Sequence, residues 1–227
     1  MLVRRGFGLF GGTFDPIHNG HLAVARGALR AMPLSRIDFV LAPRPWQKAV
    51  ATSVRDRLAM LQEALANEPN IEVNTLEIMR EGNTYTIDTL CEMRRLTGPA
   101  APLVLILGAD QWKNLHTWRD WRRFTEYAHT ALCNRAETAP VDADPEVDAV
   151  FKAKFVDAQR ITDSPAGRLC TFSIPAHEAS STKIRQILAQ FPFDEAMRRL
   201  ENWLPLRVAS YLTARGLYTH PGRSKGA

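Results

Sequence analysis

The 227 residues carry a formal net charge of +5, with 45% apolar and 23% charged side chains. These proportions are ordinary for a folded protein, and the length suits one domain with a sizeable core. No apolar run reaches the roughly 18–20 residues that cross a bilayer, and no apolar targeting core follows Arg4 and Arg5. The three cysteines form no CxxC pair, which argues against a zinc knuckle or a disulfide framework.

These features predict a single domain over residues 1–227, with flexible ends at 1–5 and 220–227. The positive charge suits an anionic ligand, but no basic stripe interleaved with aromatic residues indicates single-stranded nucleic acid. We therefore expect a cytoplasmic protein with neither a membrane nor a nucleic-acid partner. A homo-oligomer is left open.

Short apolar runs alternate with helical patterns, which predicts a parallel sheet with helices on both faces. The predicted strands are 6–10, 37–41, 71–73, 103–107, 130–133 and 169–174. Helical spacing predicts helices between them, with Ile87, Leu90 and Leu96 sharing the buried face of one, and a helical portion at the C-terminal end. The expected fold class is α/β, and ligands of such sheets bind beyond the carboxyl ends of the strands.

The first predicted strand runs directly into residues 11–21, which read GGTFDPIHNGH. Gly11 and Gly12 allow the backbone to turn sharply and to present N–H groups to a phosphate. The pair Asp15-Pro16 then indicates the entry to a helix. This strand, loop and helix together predict a phosphate-binding turn.

His18 and His21 lie three residues apart, so at the start of a helix they project from one face. Gly20 between them leaves room for a bulky ligand. Two imidazoles at the positive end of a helix suit a polyphosphate whose charge grows during the reaction. As a zinc pair they would need a third ligand, which no nearby cysteine or acidic cluster supplies.

Residues 180–185 read SSTKIR and begin a helix after the last predicted strand. Hydroxyl groups and N–H groups at a helix start bind anions, and the basic side chains add positive charge. Taken alone, the same residues also fit an ordinary serine-capped helix with exposed basic residues.

Residues 11–21 resemble the (T/H)xGH signature of the nucleotidyltransferase superfamily, and the longer string is similar to that of bacterial nicotinate-nucleotide adenylyltransferases. Residues 180–185 resemble the (I/S)SSTxIR motif of that family, with Ala179 in place of the usual isoleucine. The resemblance runs from about residue 6 to Tyr218, apart from residues 136–168. It implies a Rossmann-like open sheet and the joining of nicotinate mononucleotide to the AMP part of ATP. The products would be nicotinate adenine dinucleotide, a precursor of NAD, and pyrophosphate, with Mg²⁺ brought by ATP and no metal ligands from the protein.

The resemblance also assigns site residues. Residues 82–90 are similar to the segment that meets the nicotinate carboxylate, residues 108–111 to a GADQ element, and residues 116–118 to an HxW element whose tryptophan stacks on the nicotinate ring. The implied catalytic residues are His18, His21, Lys48 and Arg185. The implied ATP-binding residues are Gly11, Gly12, Thr13, Phe14, His18, Gly20, His21, Gly108, Asp110, Ser180, Ser181, Thr182 and Arg185. The implied residues for the nicotinate nucleotide are Thr84, Tyr85, Thr86, Trp118 and Arg135.

The chain departs from the family pattern after Pro43, where the family commonly has Pro-Pro-His-Lys. Here Trp46 and Gln47 precede Lys48, so the lysine is kept and the histidine is not. Three alternatives stay open on sequence: nicotinamide mononucleotide as the substrate, a sibling enzyme acting on another phosphate ester, and a module that senses adenine nucleotides without turnover.

Overall fold

The computed structural model describes residues 4–45, 50–135 and 144–219, and its six strands form one parallel sheet. The strands are β1 (Gly6–Gly12), β2 (Leu34–Leu41), β3 (Ile71–Asn74), β4 (Leu103–Gly108), β5 (His129–Arg135) and β6 (Leu169–Ile174). The α-helices are α1 (Asn19–Ala31), α2 (Val54–Leu65), α3 (Thr86–Thr97), α4 (Ala109–Lys113), α5 (Phe124–Tyr127), α6 (Pro145–Phe151), α7 (Ser181–Gln190), α8 (Phe193–Arg199) and α9 (Leu206–Arg215). Short 3-10 helices lie at Leu115–Thr117, Trp121–Arg123, Lys152–Lys154 and Ala158–Asp163.

The strands lie in the order β3-β2-β1-β4-β5-β6. The chain therefore builds outward from β1 in one direction and resumes from β4 in the other. A ligand crevice is expected at this reversal, beyond the carboxyl ends of β1 and β4. Each predicted strand is present, and several extend beyond the predicted bounds.

Side chains alternate between the two faces of the sheet and enter two separate cores. Phe10, on one face, belongs to a core that also receives α1, α2 and the C-terminal helices, whereas Leu9, its neighbour in β1, packs with α3 and α5 on the opposite face. The predicted α/β class with helices on both faces and a C-terminal helical portion is confirmed. Among the described residues, no helix combines the length and the apolar character needed to cross a membrane.

Two arginine side chains connect separate backbone segments by donating hydrogen bonds to their carbonyl oxygens. Arg94 on α3 donates to the carbonyl oxygens of Tyr127, Gly98 and Pro165 at 2.6–3.1 Å and thereby ties three loops at the amino edge of the sheet. Arg57 on α2 does the same at the carboxyl edge, as described with the site below.

Two local expectations were wrong. The first helix begins at Asn19 rather than at Asp15, because the Asp15 carboxylate binds groups from distant segments instead of capping a helix. Leu96 is 57% exposed, and Met93 takes its place on the buried face of α3. The space left by Gly20 is bounded on one side by the ring of His18, which an added Cβ would approach to 3.0 Å.

Candidate active site

A cavity of about 220 Å³ opens at the point where the strand order reverses. Its floor comes from β1, β2 and β4, and its walls come from the start of α3, from α4 and from the loop after α4. The predicted site residues that line it are Gly11, Gly12, Thr13, Thr84, Thr86, Asp110 and Trp118. Residues predicted separately for ATP and for the nicotinate nucleotide are thus brought to one crevice.

The glycine-rich turn passes along one edge of this cavity. A Cβ added at Gly11 would meet no atom within 4 Å, so the backbone there faces open space. A Cβ added at Gly12 would come within 2.6 Å of the Phe14 ring. That ring is 2% exposed and packs among other aromatic residues, so only the main chain of Phe14 is placed to meet a nucleotide.

His18 and His21 stand at the start of α1, with their rings stacked at a centroid distance of 3.7 Å. The backbone N–H of His18 donates to Nδ1 of His21 at 3.3 Å. In a neutral His21 ring the proton therefore sits on Nε2. The Phe14 ring supports His21 edge-on at 5.1 Å. His18 is 6% exposed, and a Cβ added at Gly20 would lie only 3.0 Å from its ring, so a larger residue there would shift the ring.

The second motif begins α7 beside this helix start. The Ser180 hydroxyl accepts from the backbone N–H of Lys183 at 3.2 Å and so caps the helix. Ser181 donates its hydroxyl to the carbonyl of Pro16 at 2.9 Å, and Arg185 donates to the carbonyl of Asp15 at 2.6 Å. These two bonds fix the second motif against the first, while Thr182 is exposed.

The start of α3 and an aromatic side chain form the far wall of the cavity. Tyr85 is the N-cap of α3, and its ring packs under the guanidinium of Arg119 at 4.8 Å rather than lining the cavity. Thr84 and Thr86 face the cavity on either side of it. The indole of Trp118 lies opposite, and its buried Nε1–H has no hydrogen-bond partner among the described residues.

Glu77 is a cavity residue that the sequence did not single out. The residue is 9% exposed, and its carboxyl accepts from the Thr89 hydroxyl at 2.7 Å. Burial raises the pKa of this carboxyl, while hydrogen bonds from Thr89 and Thr84 oppose the rise. Glu77 lies in a turn without periodic apolar neighbours, so the sequence offered no signal for it.

Arg57 is a second residue that the sequence missed, and it is fully buried beneath the glycine-rich turn. It donates to the carbonyls of Thr13, Ala42 and Pro43 at 3.0, 2.7 and 2.8 Å. Burial lowers the pKa of its guanidinium. A signal existed, because Arg57 lies four residues before the buried Leu61 and hence on the inner face of α2.

The remaining predicted residues follow β4 and β5 or lie in loops. Gly108 ends β4, and its N–H donates to the side chain of Gln111 at 2.7 Å, which fixes the entry to α4 and leaves Asp110 exposed at the cavity. Arg135 ends β5, and Lys48 lies outside the described residues.

Within the described ranges, no group of three or more His, Cys, Asp or Glu side chains is placed to hold a metal ion.

Comparison with known proteins agrees with this geometry. The cytidylyltransferase-like family model matches residues 9–187. A relative from Xylella fastidiosa strain M23, named "Probable nicotinate-nucleotide adenylyltransferase", is 34% identical over 215 residues, or 92% of this chain and 94% of that protein. A relative of the same name from Laribacter hongkongensis is 38% identical over 195 residues, or 84% of this chain and 86% of that protein.

Solved structures show the same fold. The nicotinic acid mononucleotide adenylyltransferase of Plasmodium falciparum, complexed with NaAD, superposes with a TM-score of 0.72 at 17% identity, covering 95% of this chain and 98% of that one. The same enzyme complexed with APC gives a TM-score of 0.69. The parallel α/β sheet, the matched family model and the names of the relatives together define the class as nucleotidyltransferases. Within that class, the chain belongs to the cytidylyltransferase-like family and, by its relatives, to the nicotinate-nucleotide adenylyltransferases.

Proposed function

We propose that this chain joins nicotinate mononucleotide to the AMP part of ATP, forming nicotinate adenine dinucleotide and pyrophosphate. One observation carries the proposal. The cavity at the strand reversal brings the glycine-rich turn, which leads along the chain into the (T/H)xGH motif, into the same crevice as the start of α3 and Trp118. A phosphate site and a site for a flat, polar ring thus adjoin each other.

In this proposal each substrate occupies its own end of the crevice. The ATP phosphates lie along Gly11–Gly12 and the start of α1, where backbone N–H groups, the helix end and the two histidines attract anions. The nicotinate ring lies against Trp118, and its carboxylate faces the first N–H groups of α3, which have no partner within the helix. The unpartnered Nε1–H of Trp118 supplies one further donor to the ligand.

The reaction is an in-line displacement at the α-phosphorus of ATP. An oxygen of the nucleotide phosphate forms the new P–O bond, the bond to the β-phosphate oxygen breaks, and pyrophosphate leaves with the electron pair. Two anions must meet, so the enzyme aligns them and neutralises their charge rather than supplying a covalent nucleophile. We assign this neutralisation to His18 and His21, whose rings stack at the start of α1, and to Arg185, which is bound to the carbonyl of Asp15 in the same turn.

Mg²⁺ enters as part of the MgATP substrate in this proposal. The described residues contain no acidic or histidine cluster for a resident ion, whereas Mg²⁺ is commonly held by phosphate oxygens and water. Lys48 is a further proposed source of positive charge. The single domain, the cytoplasmic location, the absence of a nucleic-acid partner and the oligomeric state remain predictions.

The test is pyrophosphate release from MgATP with nicotinate mononucleotide, set beside the same assay with nicotinamide mononucleotide. We expect faster release with nicotinate and chromatographic recovery of its adenine dinucleotide. Faster release with nicotinamide would reverse the base preference. ATP binding without release would favour the nucleotide-sensing module, and release only with another phosphate ester would favour a sibling enzyme.

A further inference from the structure

The Asp15 carboxylate is the meeting point of three chain segments. It is 2% exposed and accepts from the N–H of Ala51 and the hydroxyl of Thr52, each at 2.6 Å. The third donor is the hydroxyl of Tyr218, also at 2.6 Å, from a position 203 residues further along the chain. The hydroxyls of Thr52 and Tyr218 lie 3.3 Å apart, so the two donors converge on one carboxylate oxygen.

The same residue faces the reactive side through its main chain. The Asp15 carbonyl accepts from Arg185, and the next carbonyl, that of Pro16, accepts from Ser181. His18 follows two residues after Pro16 and is the N-cap of α1. A displacement of the Asp15 carboxylate therefore moves the carbonyls to which the second motif is attached and the turn that leads into the histidines.

The backbone conformation near both partners of the Tyr218–Asp15 hydrogen bond indicates that surrounding contacts hold this pair in place. Tyr218 has φ = 63° and Phe14, directly before Asp15, has φ = 49°. Aromatic residues rarely adopt this left-handed region, and they keep it where surrounding contacts fix them. Burial and the bond to Asp15 raise the pKa of Tyr218, so its hydroxyl stays a donor at any physiological pH.

We propose that Tyr218 is a positioning residue for adenylyl transfer. Its hydroxyl holds the Asp15 carboxylate, which sets the turn that presents His18 and the carbonyl partner of Arg185. The inference builds on the proposed function but predicts something separate: the C-terminal segment past α9 is needed for the geometry of the ATP site, although Tyr218 does not line the cavity.

The chain supplies a matched control on α9, the helix directly before that segment. Tyr211 on α9 donates its hydroxyl to the carboxylate of Asp56 at 3.0 Å, and Asp56 lies on α2 away from the cavity. Tyr218→Phe and Tyr211→Phe each remove one hydroxyl from a Tyr–Asp pair and keep the ring. If both hydroxyls only hold the C-terminal part of the chain in place, the two variants lose melting temperature but keep the same ATP affinity and kcat as each other.

The experiment measures MgATP affinity by titration calorimetry, steady-state kinetics with both substrates, and thermal melting of the full chain. For Tyr218→Phe we expect about a fivefold weaker Kd for ATP, a kcat at least ~10-fold lower, and a KM for nicotinate mononucleotide within about twofold of the wild type. For Tyr211→Phe we expect the Kd for ATP, the kcat and the KM for nicotinate mononucleotide to stay within about twofold of the wild type. Its melting temperature should fall about as much as that of Tyr218→Phe.

The outcomes separate this inference from the proposed function. Equal ATP affinity and equal kcat in the two variants, at equal loss of melting temperature, would overturn the positioning role and leave the function standing. If the wild type binds ATP without releasing pyrophosphate, the function fails, and the ATP affinities of the two variants still decide the inference. A wild type that binds no ATP overturns both.

Discussion

His129 makes the stability of this protein depend on pH in a direction that the structure fixes. The residue is fully buried at the start of β5. Its Nδ1 accepts from the backbone N–H of Arg168 at 3.0 Å, and its Nε2 lies 2.7 Å from the carbonyl of Ser164. Since an N–H can only donate, the neutral ring carries its proton on Nε2. If Nδ1 were protonated, its N–H would face the backbone N–H of Arg168, and two donors would oppose each other.

The magnitude follows from the displaced pKa. Burial lowers the pKa of His129 from 6.5 to about 4, and the Ser164 carbonyl only partly opposes this. The unfolded chain therefore takes up a proton below about pH 6.5, whereas the folded chain does not until about pH 4. The stabilisation is complete above pH 6.5 and is lost as the pH falls toward 4. At about 1.4 kcal/mol per pKa unit, the fall of the pKa from 6.5 to about 4 lowers the free energy of unfolding by roughly 3.5 kcal/mol below pH 4 and by about 2 kcal/mol at pH 5.

The assay is urea unfolding of the wild type and of His129→Asn at pH 7.5 and pH 5.0. The variant keeps an acceptor for the Arg168 N–H but has no titrating ring, and it loses the donor to Ser164. We expect it to be less stable than the wild type at pH 7.5 but to lose about 2 kcal/mol less between the two pH values. The same pH dependence in both proteins would refute the argument.

Three further predictions concern the site. His18→Ala should keep its far-ultraviolet circular dichroism and lose at least ~10²-fold in kcat, as expected for a preorganised electrostatic group, and near-normal turnover would contradict its role. Gly20→Ala should have a melting temperature no lower than that of the wild type, because alanine favours a helix. Its turnover should be slower, because the added Cβ displaces the His18 ring. Unchanged kinetics would show that the position of the ring does not matter. Trp118→Ala should raise the KM for nicotinate mononucleotide about tenfold and leave the KM for ATP nearly constant. Trp118→Phe, which keeps an aromatic ring, should bring the KM for nicotinate mononucleotide most of the way back to the wild-type value. Equal effects on the KM of both substrates would argue against ring stacking.

The element order and the general location of the site could be predicted from the sequence. Apolar runs and helical spacing reflect local requirements of strands and helices, so β4 was evident from residues 103–107 alone. The glycine-rich turn and the histidines lie within one short segment, where spacing decides which side chains share a helix face. Family resemblance then added the start of α3 and Trp118, which the fold brings to the same cavity.

Polar side chains were harder to place, because their partners lie far away in sequence. Asp15 had every sign of a helix cap, yet its carboxylate binds Thr52 and Tyr218, and the helix begins four residues later. Phe14 sits inside the most specific motif of the chain, yet its ring is in the core. A motif marks a position, but it does not distinguish a side chain that meets a ligand from one that supports its neighbour.

The sequence by itself determined the parallel α/β sheet, the glycine-rich turn after the first strand and the pair of histidines, because each depends on residues close together in the chain. Only the tertiary structure decided how Arg57 supports that turn, how Glu77 enters the cavity and how Tyr218 reaches Asp15. Those contacts depend on which surfaces remain to be covered once the sheet has formed, and a buried polar group must then find its partner wherever packing has placed one.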